Sequence, residues 1–267
     1  MAEVTDAQLL EQLRKGDPRA TEQLLARHEQ SIYRFGLRMC GNEDDARDVL
    51  QETLLAAFKN LDAFRGDAQL STWLYQVARS FCIKQRRRHE GEPARHESIE
   101  GAEVGAIAID TAAPDARAHA TEVGHVIEAA LNSLQPEQRE AIVLRDVEGL
   151  SAEQAAEVVG VSIAALKSRL HRARLELKQR MSAVLDDDHE TGMGCPELQH
   201  ELAAYASSEI DQAACVQIEA HLQKCPRCAA ACDSLKRTVS LCRAIPGGAI
   251  PASVRAAVRR ALQRMPA

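Results

Sequence analysis

Aromatic residues are scarce: they make up 3% of the 267 residues, and tryptophan occurs once. Strands lean on aromatic and β-branched side chains. With alanine and leucine abundant and hydrophobic residues at 45%, the composition predicts an all-α protein with enough apolar material for real cores. No stretch approaches the roughly 18 apolar residues of a membrane span. The start, MAEVTDAQLLEQL, lacks the basic-then-apolar pattern of a signal peptide, so a cytoplasmic chain is expected. There is no basic excess either. A net charge of −6 argues against a protein that coats nucleic acid everywhere, though not against local basic patches. Phosphate-binding glycine loops, dinucleotide glycine motifs, HExxH and nucleophile elbows are all missing, which leaves an enzyme without support.

What the chain does have is unevenly placed. Its length suggests about two domains, at roughly 100–200 residues each. The first 88 residues read as four helices. Asp17-Pro18 is an N-cap followed by a proline at the first helical position, after Gly16 closes the helix before it. Asn42 caps a helix whose first turn holds Glu43, Asp44 and Asp45, where the helix dipole favours negative charge. Ala46, Val49, Leu50, Thr53, Leu54, Ala57, Phe58 and Leu61 make its apolar stripe. Ser71-Thr72 opens a fourth helix that runs out into a basic end. Residues 89–122 hold eight acidic residues, two arginines and no periodicity, and read as a flexible linker. Helices resume near Ala120 and continue to about Leu185, and residues 186–194 form a second linker.

Residues 150–180 carry a helix-turn-helix pattern. Ser151 and Gln154 have capping-box spacing, Gly160 fits a left-handed turn, and Ser162 caps a second helix. Leu166, Leu170, Ala173 and Leu177 form that helix's buried stripe. Lys167, Arg169, Arg172, Arg174, Lys178 and Arg180 are expected to form a positive rod suited to a major groove, against a lone Glu176. Charge of this kind supplies phosphate affinity, whereas base choice falls to the helix start: Ser162, Ala164, Ala165 and Ser168, with Lys167 and Arg169 close by.

The stretch LNSLQPEQREAIVLRDVEGLSAEQAAEVVGVSIAALKSRLHRARLELKQR closely resembles the C-terminal DNA-binding domain of bacterial extracytoplasmic-function (ECF) sigma factors. YRFGLRMCGNEDDARDVLQETLLAAFKNLDAFRGDAQLSTWLYQVARSFCIKQRRR resembles their N-terminal core domain. Together the two cover most of residues 20–182, in family order. The resemblance implies binding to core RNA polymerase, recognition of a −10 element by the first domain, and of a −35 element by the second. It implies polymerase contact by the helix Asp45 to Phe58, with Asp48, Val49, Gln51 and Glu52 as further candidates. It places −10 reading between Phe64 and Arg79, including Trp73, for which a core position beneath the reading loop is favoured over base stacking. Arg79, Lys84, Arg86, Arg87 and Arg88 suit contact with the DNA backbone. Ser80 departs from the family, which usually has asparagine there, and this leaves the −10 preference open.

Six of eight cysteines fall in the last 73 residues: Cys195, Cys215, Cys225, Cys228, Cys232 and Cys242. In a reducing compartment they favour metal or redox chemistry. His221, Cys225 and Cys228, in HLQKCPRC, have strong ligand spacing: the first two lie one helical turn apart, and the two-residue gap lets both cysteines grip one ion. Cys195 is expected to complete a closed tetrahedral zinc site, with Cys232, Cys215 and His200 as competitors. The module resembles the zinc-binding anti-sigma fold, here fused to a sigma factor. The remaining cysteines admit a second metal site, a redox pair or inert core. The tail PASVRAAVRRALQRMPA reads as an amphipathic helix with four arginines and no acids.

The expected organisation is thus sigma region 2 over 1–89, an acidic linker over 90–119, region 4 over 120–185 and a linker over 186–194. A zinc-binding anti-sigma-like domain follows over 195–244, then a basic tail over 245–267. The expected function is promoter-specific initiation with core RNA polymerase, regulated in cis by metal or redox state through contact between the C-terminal domain and the sigma domains. The alternative is a metal-responsive helix-turn-helix regulator that is not a sigma subunit.

Overall fold

The computed structural model describes residues 4–15, 17–61, 64, 66, 69–91, 114–181, 194–207, 209–244 and 249–263. Among these, every regular element is helical, with twelve α-helices, one π-helical turn and one 3-10 turn. The chain forms two compact units, Met1–Ile107 with Gly247–Ala267, and Ala108–Pro246. Gly16 and most of both expected linkers lie outside the described residues.

The first unit holds α1 (Asp6–Arg14), α2 (Pro18–Cys40), α3 (Glu43–Asn60) and α4 (Leu70–Gly91). Local chemistry sets their ends. Thr5 and Gln8 form a reciprocal capping box, and the Asp17 carboxylate accepts from the Arg19 amide at 2.9 Å. Asn42 Oδ1 accepts from the Asp45 amide at 2.8 Å. Between α2 and α3 the chain reverses at Gly41, whose φ of 79° is left-handed. The predicted stripe of α3 is the buried one: Ala46, Val49, Leu50, Thr53, Leu54 and Ala57 pack inward. At the far end of the chain α12 (Ala252–Gln263) lies against α3. Its approach is held by buried Ile250, Val254 and Val258, and Arg255 Nε pairs with Glu29 Oε1 at 2.7 Å.

The second unit begins with α5 (Pro114–Ser133), which starts inside the segment expected to be linker. α6 (Pro136–Ile142) continues without a break into the π turn Val143–Val147. Then come α7 (Ala152–Val159) and α8 (Ile163–Arg180). Ser151 and Gln154 close a capping box, Gly160 turns the chain at φ 75°, and Ser162 accepts from the Ala165 amide at 3.2 Å. The C-terminal module is a 3-10 turn (Pro196–Leu198), α9 (Gln199–Ala206), α10 (Gln212–Leu222) and α11 (Pro226–Ala244). Its core is Leu202, Ala203, Ile218, Cys228, Cys232 and Leu235, and Leu175 of α8 packs against that cluster. α8 and the module therefore share one apolar core.

Candidate metal centre and nucleic-acid interface

The metal centre is built where three elements meet. Cys195 leads into the 3-10 turn, His221 sits in the last turn of α10, Cys225 precedes α11, and Cys228 lies in its first turn. Ligand atoms of all four lie within 4.8 Å of one another. His221 Nε2 is 3.2 Å from Cys228 Sγ, and the Cys195 amide donates to the same sulfur at 3.2 Å. The α11 N-terminus favours a thiolate at Cys225. Hydrogen bonds from the Cys228 amide and side chain bring Cys225 down to about 7, while hydrogen bonding to Cys228 and burial push Cys195 up to about 11. Three sulfurs and one imidazole nitrogen match the closed donor set of a tetrahedral ion, whose sulfur–sulfur edge is about 3.8 Å at a metal–sulfur distance near 2.3 Å.

The three competitors lie elsewhere. Cys232 is buried in α11, Cys215 Sγ is 3.5 Å from Glu219 Oε1, and the His200 ring packs edge-on to His171 at 5.0 Å. Spacing alone gives no sign of the part played by Gly194. Its φ is 75°, and a Cβ there would lie 2.9 Å from Leu202 Cδ1 and 3.1 Å from Cys228 Sγ. Only glycine lets the chain pass this close to the ligand sulfur.

On α8 and its N-cap, Ser162, Ala164, Ala165, Ser168 and Arg172 are exposed, and Lys167 and Arg169 half-buried. Arg174 and Lys178 depart from the expected positive rod, because both are buried. Arg174 is 2% exposed and makes a two-pronged pair with Asp146 of the π turn, at 2.9 and 2.7 Å. Its Nη1 also donates to Ser207 Oγ at 2.8 Å and Glu209 Oε2 at 3.2 Å. Burial alone disfavours its charge, but Asp146 and Glu209 more than reverse that and raise its pKa. A guanidinium so enclosed has no donor left for a phosphate. Glu209 also accepts from Arg145 Nε at 2.6 Å, and its backbone carbonyl accepts from Lys167 Nζ at 3.5 Å. Beside them, Lys167, His171, Arg174, His200 and Glu209 line a cavity of about 300 Å³.

In the first unit, Trp73 is half-buried with its ring 5.4 Å from that of Phe64. Arg79 is half-buried, Ser80, Lys84, Arg86, Arg87 and Arg88 are exposed, and Lys84 Nζ lies 3.8 Å from Glu52 Oε2. Of the α3 candidates, Asp48 is exposed and Asp45, Gln51, Glu52 and Phe58 are half-buried. Val49 differs: at 0% exposure it belongs to the bundle core and presents nothing outward.

Residues 24–92 match the Sigma-70 region 2 family, residues 125–177 the Sigma-70 region 4 family, and residues 195–229 a zinc-finger family. The ECF RNA polymerase sigma-E factor of Haemophilus influenzae is 29% identical over 190 residues, 69% of this chain and 100% of its own length. That of Escherichia coli is 28% identical over 187 residues, 68% of this chain and 97% of its own. The solved structure of CnrH in complex with the cytosolic domain of CnrY matches at 30% identity and a TM-score of 0.48, over 68% of this chain and 98% of that one. The chain belongs to the ECF sigma factors, with a zinc-finger domain fused behind its two sigma regions. Its function is promoter-specific transcription initiation with core RNA polymerase. The alternative of a regulator acting without polymerase is not favoured, since region 2 would have no place in it. Among the described residues no helix is long and apolar enough to cross a membrane.

Proposed function

We propose that this sigma factor carries its own inhibitor, a zinc-loaded module seated on region 4 in the same cytoplasmic chain. The observation that carries the reading is the Arg174 pairing. A guanidinium of the DNA-reading helix is shared between Asp146 of region 4 and Ser207 and Glu209 of the module. Glu209 takes Arg145 and Arg174 in the way a phosphate would, and its carbonyl takes Lys167. The outer face of α8, through Arg169, Arg172 and Ser168, is left to contact the −35 element. The Lys84–Arg88 stretch serves the −10 strand, and Asp48, Gln51 and Glu52 serve the polymerase. The α12 tail adds a second inhibitory contact, since it covers part of α3. Zinc, held by Cys195, His221, Cys225 and Cys228, keeps the module folded and so keeps Glu209 in place. The chain performs no catalysis of its own.

The test is run-off transcription with core polymerase, comparing the full chain, a truncation after Leu185, and Cys225→Ser/Cys228→Ser. Higher output from both variants is expected. Lower output would make the module a metal-dependent activator, and unchanged output would reduce it to a stabilising appendage.

A further inference from the structure

Two thiols outside the metal centre lie together in the first unit. Cys40 is the last residue of α2 and Cys82 lies in the middle of α4. They are 42 residues apart in sequence, yet their sulfurs are 3.6 Å from one another and both are reduced. Cys40 is half-buried, so a small oxidant reaches it, whereas Cys82 is 6% exposed and sheltered. This is the arrangement of an attacked thiol beside a resolving one. Closing the gap to the roughly 2.05 Å of a disulfide requires movement at one side. Cys40 is placed to supply it, because the helix ends there and the next residue, Gly41, is in the left-handed turn.

We propose that Cys40 and Cys82 form a modification site: a dithiol that hydroperoxides oxidise to an intramolecular disulfide, separate from the metal centre. In the first step the Cys40 sulfur attacks the peroxide oxygen, the O–O bond breaks, and Cys40 becomes a sulfenic acid with release of water or an alcohol. In the second, the Cys82 sulfur attacks the Cys40 sulfur. The S–S bond forms, the S–O bond breaks, and hydroxide leaves as water with the Cys82 proton. Two thiols lose two electrons and two protons, and one peroxide is reduced. The bond ties the turn that launches α3 to the helix bearing Arg79 and the Lys84–Arg88 stretch.

Trypsin separates the two cysteines cleanly, into MCGNEDDAR (39–47) and SFCIK (80–84), each with one cysteine. Zinc-loaded full-length protein is exposed to equimolar hydrogen peroxide, alkylated, digested and mapped by mass spectrometry. The expected product is these two peptides joined, lighter by two hydrogens and separated by dithiothreitol, with two fewer alkylated thiols per chain. Cys40→Ser, at a half-buried helix end, removes the joined product while zinc content stays the same. The proposal is overturned if both peptides stay fully alkylated, if Cys40 proceeds to sulfinic acid with Cys82 still alkylatable, or if either cysteine joins a zinc ligand instead.

Discussion

Arg174 and Glu209 stand 35 residues apart and meet at 3.2 Å, across the seam between the DNA-reading helix and the zinc-finger module. Around them the two sides exchange opposite charges: Arg145, Lys167 and Arg174 from region 4, and Glu209 from the module. Breaking a buried pair from one side leaves the other charge uncompensated, so the seam should be sensitive to single substitutions.

Glu209→Gln should cost about 3–5 kcal/mol of stability, because Arg145 and Arg174 lose a nearly buried counter-charge. In the same variant, −35 DNA binding by the full chain should rise toward that of the truncation after Leu185. Calorimetry and fluorescence anisotropy read the two effects. A melt and an affinity equal to wild type would remove Glu209 from the seam.

The seam should also depend on pH with a definite sign. Burial pushes the Glu209 carboxyl up, but Arg174 and Arg145 outweigh it and hold its pKa below the usual 4.5. A lowered folded value means the stabilisation is fully present above about 4.5 and is lost as pH falls through the folded pKa. The thermal midpoint of wild type should therefore drop below about pH 4.5 more steeply than that of Glu209→Gln. Parallel profiles for the two proteins would contradict this.

Arg172→Ala and Arg174→Ala should separate DNA contact from structure. In the truncation after Leu185, loss of an exposed phosphate contact at Arg172 should lower the salt slope of DNA binding by about one unit. In the full chain, Arg174→Ala should instead destabilise the second unit by about 3–5 kcal/mol, leaving Asp146 buried without its partner. The slope is read from affinities over a salt titration, and urea melts report stability. A unit change in slope for Arg174→Ala without loss of stability would restore it to the DNA face.

The metal centre should need Gly194 as well as its four ligands. Gly194→Ala adds a Cβ 3.1 Å from Cys228 Sγ at a left-handed φ of 75°, which costs roughly 1–2 kcal/mol in the backbone alone. One zinc per chain is expected from the wild type after anaerobic purification, with weaker retention against a chelator in Gly194→Ala. Cys225→Ser should lose the ion. Metal content below half an equivalent in the wild type would refute the assignment.

Removal of the tail should strengthen polymerase binding. Val254 and Val258 are buried where α12 meets α3, and a carboxylate at Val258 would have to be desolvated to stay there. Val258→Asp should release the helix and lower the dissociation constant for core polymerase severalfold in a pull-down titration. An unchanged constant would make the tail a stabiliser of the first unit.

What the sequence determined by itself is local. Capping at Asn42, Ser151 and Ser162, and the left-handed glycine at Gly160, depend on neighbours two to four residues away, so short spacing was enough to place them. The apolar stripes of α3 and α8 were legible because helical period alone decides which residues share a face. Three members of the Cys/His cluster were legible for the same reason, since His221, Cys225 and Cys228 fall within eight residues. Tertiary structure decided everything that joins distant segments. It brought Cys195 rather than Cys232, Cys215 or His200 to the other three, a choice that depends on where the chain passes at Gly194. It buried Arg174, which by spacing alone looks like one more base on a basic face, because a π turn 28 residues earlier presents Asp146 and a module 35 residues later presents Glu209. It seated the arginine-rich tail on α3, where Arg255 finds Glu29 and apolar side chains find cover. Charge and periodicity show which face of a helix is basic or apolar, but the partner that covers it is chosen by packing between segments far apart in the chain.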